Sequence, residues 1–340
     1  MRAVRVHEVG GPEVLRVDDI EVPEPGPGEI RVRIEAAGVN FIDTYHREGK
    51  YPLELPATIG GEGGGVVDAV GRDVPALSEG DRVAFAGPRG SYAEMVVVPA
   101  GAVVPVPADV EVRTAAAALL QGMTAHYLVH DTYPVGAGDT RHPRPDIAPS
   151  ARGSDPSTVL VHAAAGGVGH LLTQMCKLLG ARVIATCGTQ EKADLVRGFG
   201  ADEVVIYTEE SFTEAVARFT DGRGADVVFD GVGKATFLDG LTCLRPRGMM
   251  VLYGQSSGEA DPLDPQELNR RGSLFLTRPN LAHYVAEREE LERRASDLFG
   301  WIAKGAIEVR IDRTFPLEEA AEAHRYLEGR KTLGKVLLIP

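Results

Sequence analysis

The segment Val159-Leu160-Val161-His162-Ala163-Ala164-Ala165-Gly166-Gly167-Val168-Gly169 constrains this chain more than any other. A short apolar run enters a glycine-rich turn, and the turn opens an amphipathic stretch followed by a second apolar run, which reads as strand, turn, helix, strand. Gly166 and Gly167 let backbone N–H groups approach a pyrophosphate, which the positive end of a helix favours, and Gly169 lets helix and strand pack closely. Dinucleotide binding is the direct reading. Ala163 stands where the G-x-G-x-x-G pattern has its first glycine, and a plain tight turn would use similar residues, so the reading depends on context.

That context is a rhythm of strands and helices from residue 159 onward. Apolar runs at 159–162, 182–186, 203–207, 226–229 and 249–253 alternate with amphipathic stretches at 171–179, 192–199 and 212–220. Such alternation predicts βαβ units and a parallel sheet covered on both faces. The first 120 residues differ: short period-two runs such as 29–36 are separated by Gly/Pro turns, which predicts barrel-like sheet. An alanine-rich helix is expected over 113–130, a long charged helix over 282–304, a shorter one over 317–328 and a last strand over 335–339. Between them, 134–158 is rich in Pro, Gly, Ser, Arg and Asp with almost no apolar periodicity, and a solvated loop is expected there.

Composition narrows the function classes. The chain has 340 residues, and its net charge is 36 − 49 = −13, a balance that disfavours nucleic acid and anionic membrane surfaces as partners. No apolar stretch has the length of a signal peptide core or a bilayer span, so a cytoplasmic protein with no membrane partner is expected. Cys176, Cys187 and Cys243 have no metal-ligand spacing, and the nine histidines are read as scattered, so no metal site is assigned.

Cofactor preference is read after the second strand, which ends Thr186-Cys187-Gly188-Thr189-Gln190 without the acidic residue that binds ribose hydroxyls in NAD-preferring folds. Lys192 stands where it can meet a 2′-phosphate, although a solvated lysine at a helix start is nearly as common. NADPH is favoured.

At this point the chain resembles the zinc-independent NADPH:quinone oxidoreductases related to zeta-crystallin, in the medium-chain dehydrogenase/reductase superfamily. The glycine turn, Ala37-Gly38-Val39-Asn40-Phe41-Ile42-Asp43-Thr44-Tyr45, Gly11-Pro12-Glu13-Val14-Leu15, Gly122-Met123-Thr124-Ala125-His126-Tyr127 and Leu276-Thr277-Arg278-Pro279 carry the resemblance, which covers essentially the whole chain. It implies an α/β fold in which a GroES-like β-rich catalytic domain, residues 1–122 and 276–340, is interrupted by a Rossmann NADPH-binding domain with a doubly wound parallel sheet, residues 123–275. An insertion at 141–158 departs from the family, as does His170, where an apolar residue is usual; its side chain is expected to be exposed or hydrogen-bonded.

Carried over by residue, the resemblance implies that Asn40, Phe41, Ile42, Asp43, Thr44, Tyr45 and Tyr127 surround the nicotinamide end. Gly167 and Val168 would lie on the pyrophosphate. Gly188, Thr189, Lys192 and Tyr207 match the 2′-phosphate site, and Gly231, Gly254, Gln255, Ser256, Ser257, Phe275, Leu276, Thr277 and Arg330 match the remaining cofactor contacts, so that Lys192, Tyr207 and Arg330 would form a phosphate clamp. Zinc-dependent relatives bear a cysteine beside the Asp43 position and a histidine before the Glu62 position, where this chain has Phe41, Ile42 and Gly61.

The implied activity is zinc-independent reduction of quinones by NADPH, in a cleft between the domains of a protein expected to form a homodimer. An alkenal or enone reductase using the same cofactor site is the alternative enzyme, and a non-catalytic RNA-binding or crystallin-like structural role is the alternative of another class. Tyr45 and Tyr51 could donate a hydrogen bond to a substrate oxygen, though core packing or cofactor contact also suits them.

Overall fold

A computed structural model describes residues 1–136 and 156–340. The described chain divides into two units, one comprising Met1–Met123 with Tyr284–Pro340 and the other Thr124–His283. Most of the insertion expected at 141–158 lies outside the described residues. Its last residue, Thr158, is already strand: it is buried, and its N–H donates to Asp226 Oδ2 at 2.7 Å.

The first unit begins with β1 (Arg2–Val6), β2 (Leu15–Asp19) and the long β3 (Glu29–Val39). Helix α1 (Phe41–Arg47) follows, then β4 (Ala57–Thr58), β5 (Glu62–Val70), β6 (Arg82–Ala86), β7 (Met95–Pro99) and β8 (Val103–Pro105). The alanine-rich helix α2 (Val112–Tyr127) ends in a π-helical turn, Leu128–Thr132, so the expected 113–130 helix is regular only to Tyr127.

In the second unit come β9 (Thr158–Val161), α3 (Gly167–Leu178), β10 (Arg182–Cys187), α4 (Gln190–Gly198), β11 (Glu203–Ile206) and α5 (Phe212–Phe219). They are followed by β12 (Ala225–Asp230), α6 (Phe237–Thr242), β13 (Leu244–Leu252), α7 (Gln266–Arg270) and β14 (Phe275–Thr277). The expected helix over 282–304 is two pieces, α8 (Leu281–Tyr284) and α9 (Arg288–Ala303). The tail ends with β15 (Ile311–Pro316), α10 (Ala320–Glu328) and β16 (Lys335–Ile339).

The second unit's sheet has the order β11-β10-β9-β12-β13-β14, and every pairing is parallel. The central strands β9 and β12 are buried at every position, as strands covered on both faces must be. Renumbered from β9, the order is 3-2-1-4-5-6, the doubly wound arrangement whose chain reversal lies between β9 and β12. Because β14 pairs with β13, Leu276 and Thr277 belong to this sheet, and the unit ends at His283 rather than at residue 275.

The first unit contains a three-stranded sheet, β2-β1-β4, and a seven-stranded sheet in which β16 and β15 from the tail join β3. Val32, Val67, Phe85, Leu317 and Leu338 share one core, so N-terminal and C-terminal segments are packed into a single body. Burying side chains of that size contributes about 1.5–3 kcal/mol each before conformational entropy is subtracted.

Candidate active site

In a parallel sheet every strand ends on the same edge, and here that edge gathers the residues singled out around the glycine turn. Gly166 caps α3 without any side-chain hydrogen bond, leaving the first N–H groups of the helix, Gly167 and Val168 among them, to an outside acceptor. The turn is narrow. A Cβ on Gly169 would lie 2.3 Å from Ala163 O and 2.7 Å from Ala164 Cα, so only glycine fits. Ala163 has φ +51°, the left-handed conformation for which the first glycine of the pattern is suited. The turn is tied to β10 by Ala164 N donating to Thr186 O at 3.0 Å and by His162 Nδ1 at 3.0 Å from Thr186 Oγ1.

His170 is fully buried, and its Nδ1 lies 2.9 Å from Gly166 O. Of the two alternatives expected for it, exposure or a hydrogen bond, the hydrogen bond is the one formed, because this face of α3 turns into the protein.

One strand over, Thr189 caps α4 and accepts from Lys192 N at 3.3 Å. Tyr207 follows β11, is 46% exposed, and lies directly over Gly188: a Cβ there would meet the Tyr207 hydroxyl at 2.6 Å. Gly188, Thr189, Lys192 and Tyr207 thus share the same edge of the sheet. Arg330, expected to join them, is an exposed residue with φ +55° just beyond α10 in the other unit.

Beyond the chain reversal, the buried carboxylate of Asp230 closes the end of β12, accepting from Val232 N at 2.7 Å, Gly233 N at 3.0 Å and Thr236 Oγ1 at 2.8 Å. Gly231 and Gly254 touch: a Cβ on Gly254 would lie 2.5 Å from Gly231 O. Ser256 N donates to Gly231 O and Ser257 N to Val232 O, so Gly254, Gln255, Ser256 and Ser257 form one turn against the β12 end. Tyr253, absent from the sequence reading, has its hydroxyl held well above the ordinary phenol range by desolvation, reinforced by Asp230 and by the predicted nicotinamide-end residue Tyr127. Phe275, Leu276 and Thr277 form β14 itself, with Phe275 56% exposed.

In the first unit, α1 carries Phe41, Ile42, Asp43, Thr44 and Tyr45. Asp43 Oδ2 accepts from Asn40 N at 2.8 Å and from the Tyr92 hydroxyl at 3.0 Å, while Oδ1 has no hydrogen-bond partner. Burial pushes the Asp43 carboxyl up to about 7. The network continues from Tyr92 to His324 Nε2 at 3.1 Å, and from His324 Nδ1 to Arg47 Nη1 at 3.0 Å. Its direction is fixed because a guanidinium can only donate: Arg47 donates to Nδ1, Nε2–H to the Tyr92 oxygen, and the Tyr92 O–H to Asp43. His324, held down to about 3 by burial and by Arg47, is neutral.

A second buried cluster joins Lys335 Nζ to Glu62 Oε2 at 2.6 Å and to Asn40 Oδ1 at 2.8 Å, with Gln121 Nε2 also donating to Asn40 Oδ1. Leu120 N takes the other Glu62 oxygen at 2.7 Å. The Glu62 oxygens thus accept from the Lys335 ammonium, from Asn40 Nδ2 at 3.1 Å and from the Leu120 N–H. Among the described residues, no three His, Cys, Asp or Glu side chains converge as a metal site would require. His126 and His130 do stand four apart with ring centroids 4.3 Å apart, a helical pair that the reading of scattered histidines missed.

Tyr45 is buried and Tyr51 half-buried, with rings edge-to-face at 5.6 Å. None of the residues Tyr92, Arg47, His324, Lys335 and Gln121 stands in a motif, and no periodicity pointed to them.

A doubly wound sheet with a glycine-bounded, uncapped helix start at its reversal point is the arrangement of a Rossmann-type dinucleotide-binding unit. Residues 167–295 match the family described as zinc-binding dehydrogenase, and residues 26–108 match the alcohol dehydrogenase GroES-like domain. The chain is 42% identical to a quinone oxidoreductase of Pseudomonas aeruginosa over 97% of each protein. It is also 41% identical to a 2-haloacrylate reductase of a Burkholderia species over 99% of this chain and 98% of that protein. The crystal structure of Escherichia coli quinone oxidoreductase complexed with NADPH superimposes with a TM-score of 0.93 at 39% identity, covering all of both chains. The chain belongs to the quinone oxidoreductase family of the medium-chain dehydrogenase/reductase superfamily, with a GroES-like and a Rossmann domain.

Proposed function

We propose that this protein is an NADPH-dependent quinone reductase that acts without zinc. The observation carrying the proposal is the sheet edge where the uncapped start of α3, the Gly188–Tyr207 contact and the Gly231–Gly254 contact lie together. A side chain at any of these glycines would fill the cradle or displace its wall. Gly167 and Val168 hold the pyrophosphate, Gly188, Thr189, Lys192 and Tyr207 hold the 2′-phosphate end, and Gly231 with residues 254–257 and 275–277 complete the cofactor's support.

The cofactor supplies a hydride when bound, and a quinone that takes it together with one proton becomes the hydroquinone, leaving NADP⁺. The β-rich unit supplies Tyr51, whose hydroxyl bonds no protein group among the described residues, as a donor to the substrate oxygen. Steady-state assays with NADPH and NADH against quinones, enones and primary alcohols test this reading. Turnover of alcohols alone, or activity lost on chelation and restored by zinc, would overturn it.

Reduction of an activated alkene is the second reading, favoured by the full-length similarity to a 2-haloacrylate reductase. We place the protein in the cytoplasm as a homodimer. No helix among the described residues is long and apolar enough to cross a membrane. The sheet ends at β14, where Phe275 and Leu276 are exposed, and an apolar edge strand calls for a covering partner. Size-exclusion chromatography of the wild type and Phe275→Asp tests this; a wild-type monomer would overturn it.

A further inference from the structure

We infer that a groove on the β-rich unit, lined by Pro52, Leu53, Glu54, Ala57, Thr58 and Arg89, binds an anionic substituent of the substrate, with the Arg89 guanidinium as its recognition group. The inference rests on the reading that the electrophile is reduced beside Tyr51. It adds a substrate class: electrophiles bearing one carboxylate.

The groove has a volume of about 510 Å³ and begins at Pro52, the residue after Tyr51. Arg5, which pairs with Thr58 across the sheet, is taken up by Pro56 O at 2.8 Å and by Asp18 at 3.8 Å, and elsewhere in the unit Arg2 pairs with Glu94, Arg31 with Asp68 and Arg47 with Glu328. Lys50, which lies over the Tyr45 ring, is neutralised by Glu48 at 2.6 Å. Among the described residues Arg89 is exposed and meets no carboxylate, so its charge is available to a ligand.

Arg89 is also mounted firmly. Gly87 and Gly90 on either side of it have φ of +119° and +109°, and their N–H groups donate to Gly61 O at 2.8 Å and Gly60 O at 2.9 Å. These bonds hold the Arg89 turn against the strand start that carries Glu62. A guanidinium on a fixed turn binds a carboxylate with less ordering cost than one on a free loop.

The guanidinium's field reaches the aromatic cluster. His46 is held below the ordinary histidine range by burial and then by the charge of Arg89, and its ring lies edge-to-face with Tyr51 at 5.7 Å. Pro52, Leu53 and Ala57 give the groove apolar walls on which a carbon skeleton can rest. Glu54, on the same lining, repels a second negative charge, so a monoanion suits the site better than a dianion.

The test compares a neutral naphthoquinone with the same naphthoquinone bearing one carboxylate, each at saturating NADPH. Arg89→Ala should raise the KM for the carboxylated substrate about ten- to hundredfold relative to that for the neutral one, as loss of a charge-assisted contact predicts. Arg89→Lys should restore part of the difference, and Glu54→Gln should lower the KM of the carboxylated substrate. An unchanged ratio in Arg89→Ala would overturn the inference. A second readout needs no turnover: benzoate titrated into the wild type should move the NMR titration midpoint of His46 upward by neutralising Arg89, and should not do so in Arg89→Ala. A His46 midpoint indifferent to saturating benzoate would overturn it as well. Failure of both quinones to turn over would instead refute the quinone reading, leaving the benzoate titration to decide the groove.

Discussion

Lys192 occupies the first turn of α4, directly after the Thr189 cap, on the sheet edge shared by Gly188 and Tyr207. A single lysine there is a compact cation that NADPH can use and NADH cannot, because only NADPH carries the 2′-phosphate. Lys192→Ala should therefore raise the KM for NADPH about ten- to hundredfold while changing the KM for NADH about twofold at most, in line with about 1.5–3 kcal/mol for a contact to a charged group. Steady-state kinetics with the two cofactors measures this, and equal effects would place the phosphate elsewhere. Ala163 tests backbone conformation at the same scale. Its left-handed φ costs a non-glycine residue about 1–2 kcal/mol, partly offset by the lower chain entropy of alanine in the unfolded state. Ala163→Gly should leave stability unchanged or raise it by up to about 1 kcal/mol in urea unfolding, whereas a loss would mean that the alanine methyl is needed.

At the scale of elements, the unit proposed to carry the cofactor's pyrophosphate is β9, the turn and α3. The strand is buried at all four positions, and the helix buries residues Gly169 to Cys176 without a break. The fit depends on Gly169, where a methyl group would collide with backbone atoms of Ala163 and Ala164 that no rotamer change can move. Gly169→Ala should lower the melting temperature by several degrees and should also weaken NADPH binding, since relieving the clash moves the N–H groups at the start of α3. Thermal unfolding with and without NADPH reads both effects. A variant with wild-type stabilisation by NADPH would show that the helix start does not hold the pyrophosphate.

Across the whole molecule, two buried clusters tie the C-terminal tail to the N-terminal sheet. Lys335 on β16 meets Glu62 on β5, and His324 on α10 meets Arg47 on α1. Lys335→Met would leave the Glu62 carboxylate buried and unpaired, an expected loss of about 3–5 kcal/mol. Adding Glu62→Gln should recover part of it, and urea unfolding of both variants checks the pair. Asp43 gives the chain a pH signature. Its folded-state value, about 7, lies above the ordinary carboxylate value, so the folded protein binds the extra proton. Stability from this group is full near pH 4 and falls as pH rises towards 7, with Asn40, Tyr92, Lys335 and Glu62 as the neighbours that set the balance. Replacing it by Asn removes the slope: Asp43→Asn should gain relative to the wild type between pH 4 and pH 8, by up to about 4 kcal/mol from a shift of roughly three units. A constant difference across that range would show that Asp43 is not displaced. His324 acts in the opposite direction, its depressed value opposing folding as pH falls below about 6.5.

The sequence by itself determined the second unit, its parallel sheet and the glycine turn at the start of α3. Strand and helix periods, the glycine turn and the missing acidic residue after β10 are all local signals, and in a parallel sheet local order along the chain fixes which ends meet. The same logic failed where partners are distant. Nothing near residue 335 announces that Lys335 neutralises Glu62, nothing near Tyr92 announces Asp43 and His324, and the tail's return to β3 came from resemblance rather than from periodicity. For His170 the sequence left exposure and a hydrogen bond open, and only the fold decided for the hydrogen bond, because periodicity marks a helix face but not how closely the rest of the fold covers it. Arg89 passed unnoticed for a related reason. An exposed arginine in a Gly-Pro-Arg-Gly turn looks like any solvated residue until the folded chain holds that turn against Gly60 and Gly61 and opens a groove beside it. Long-range electrostatic pairing and shape arise only when segments far apart in the chain are brought together, so tertiary structure alone decided them.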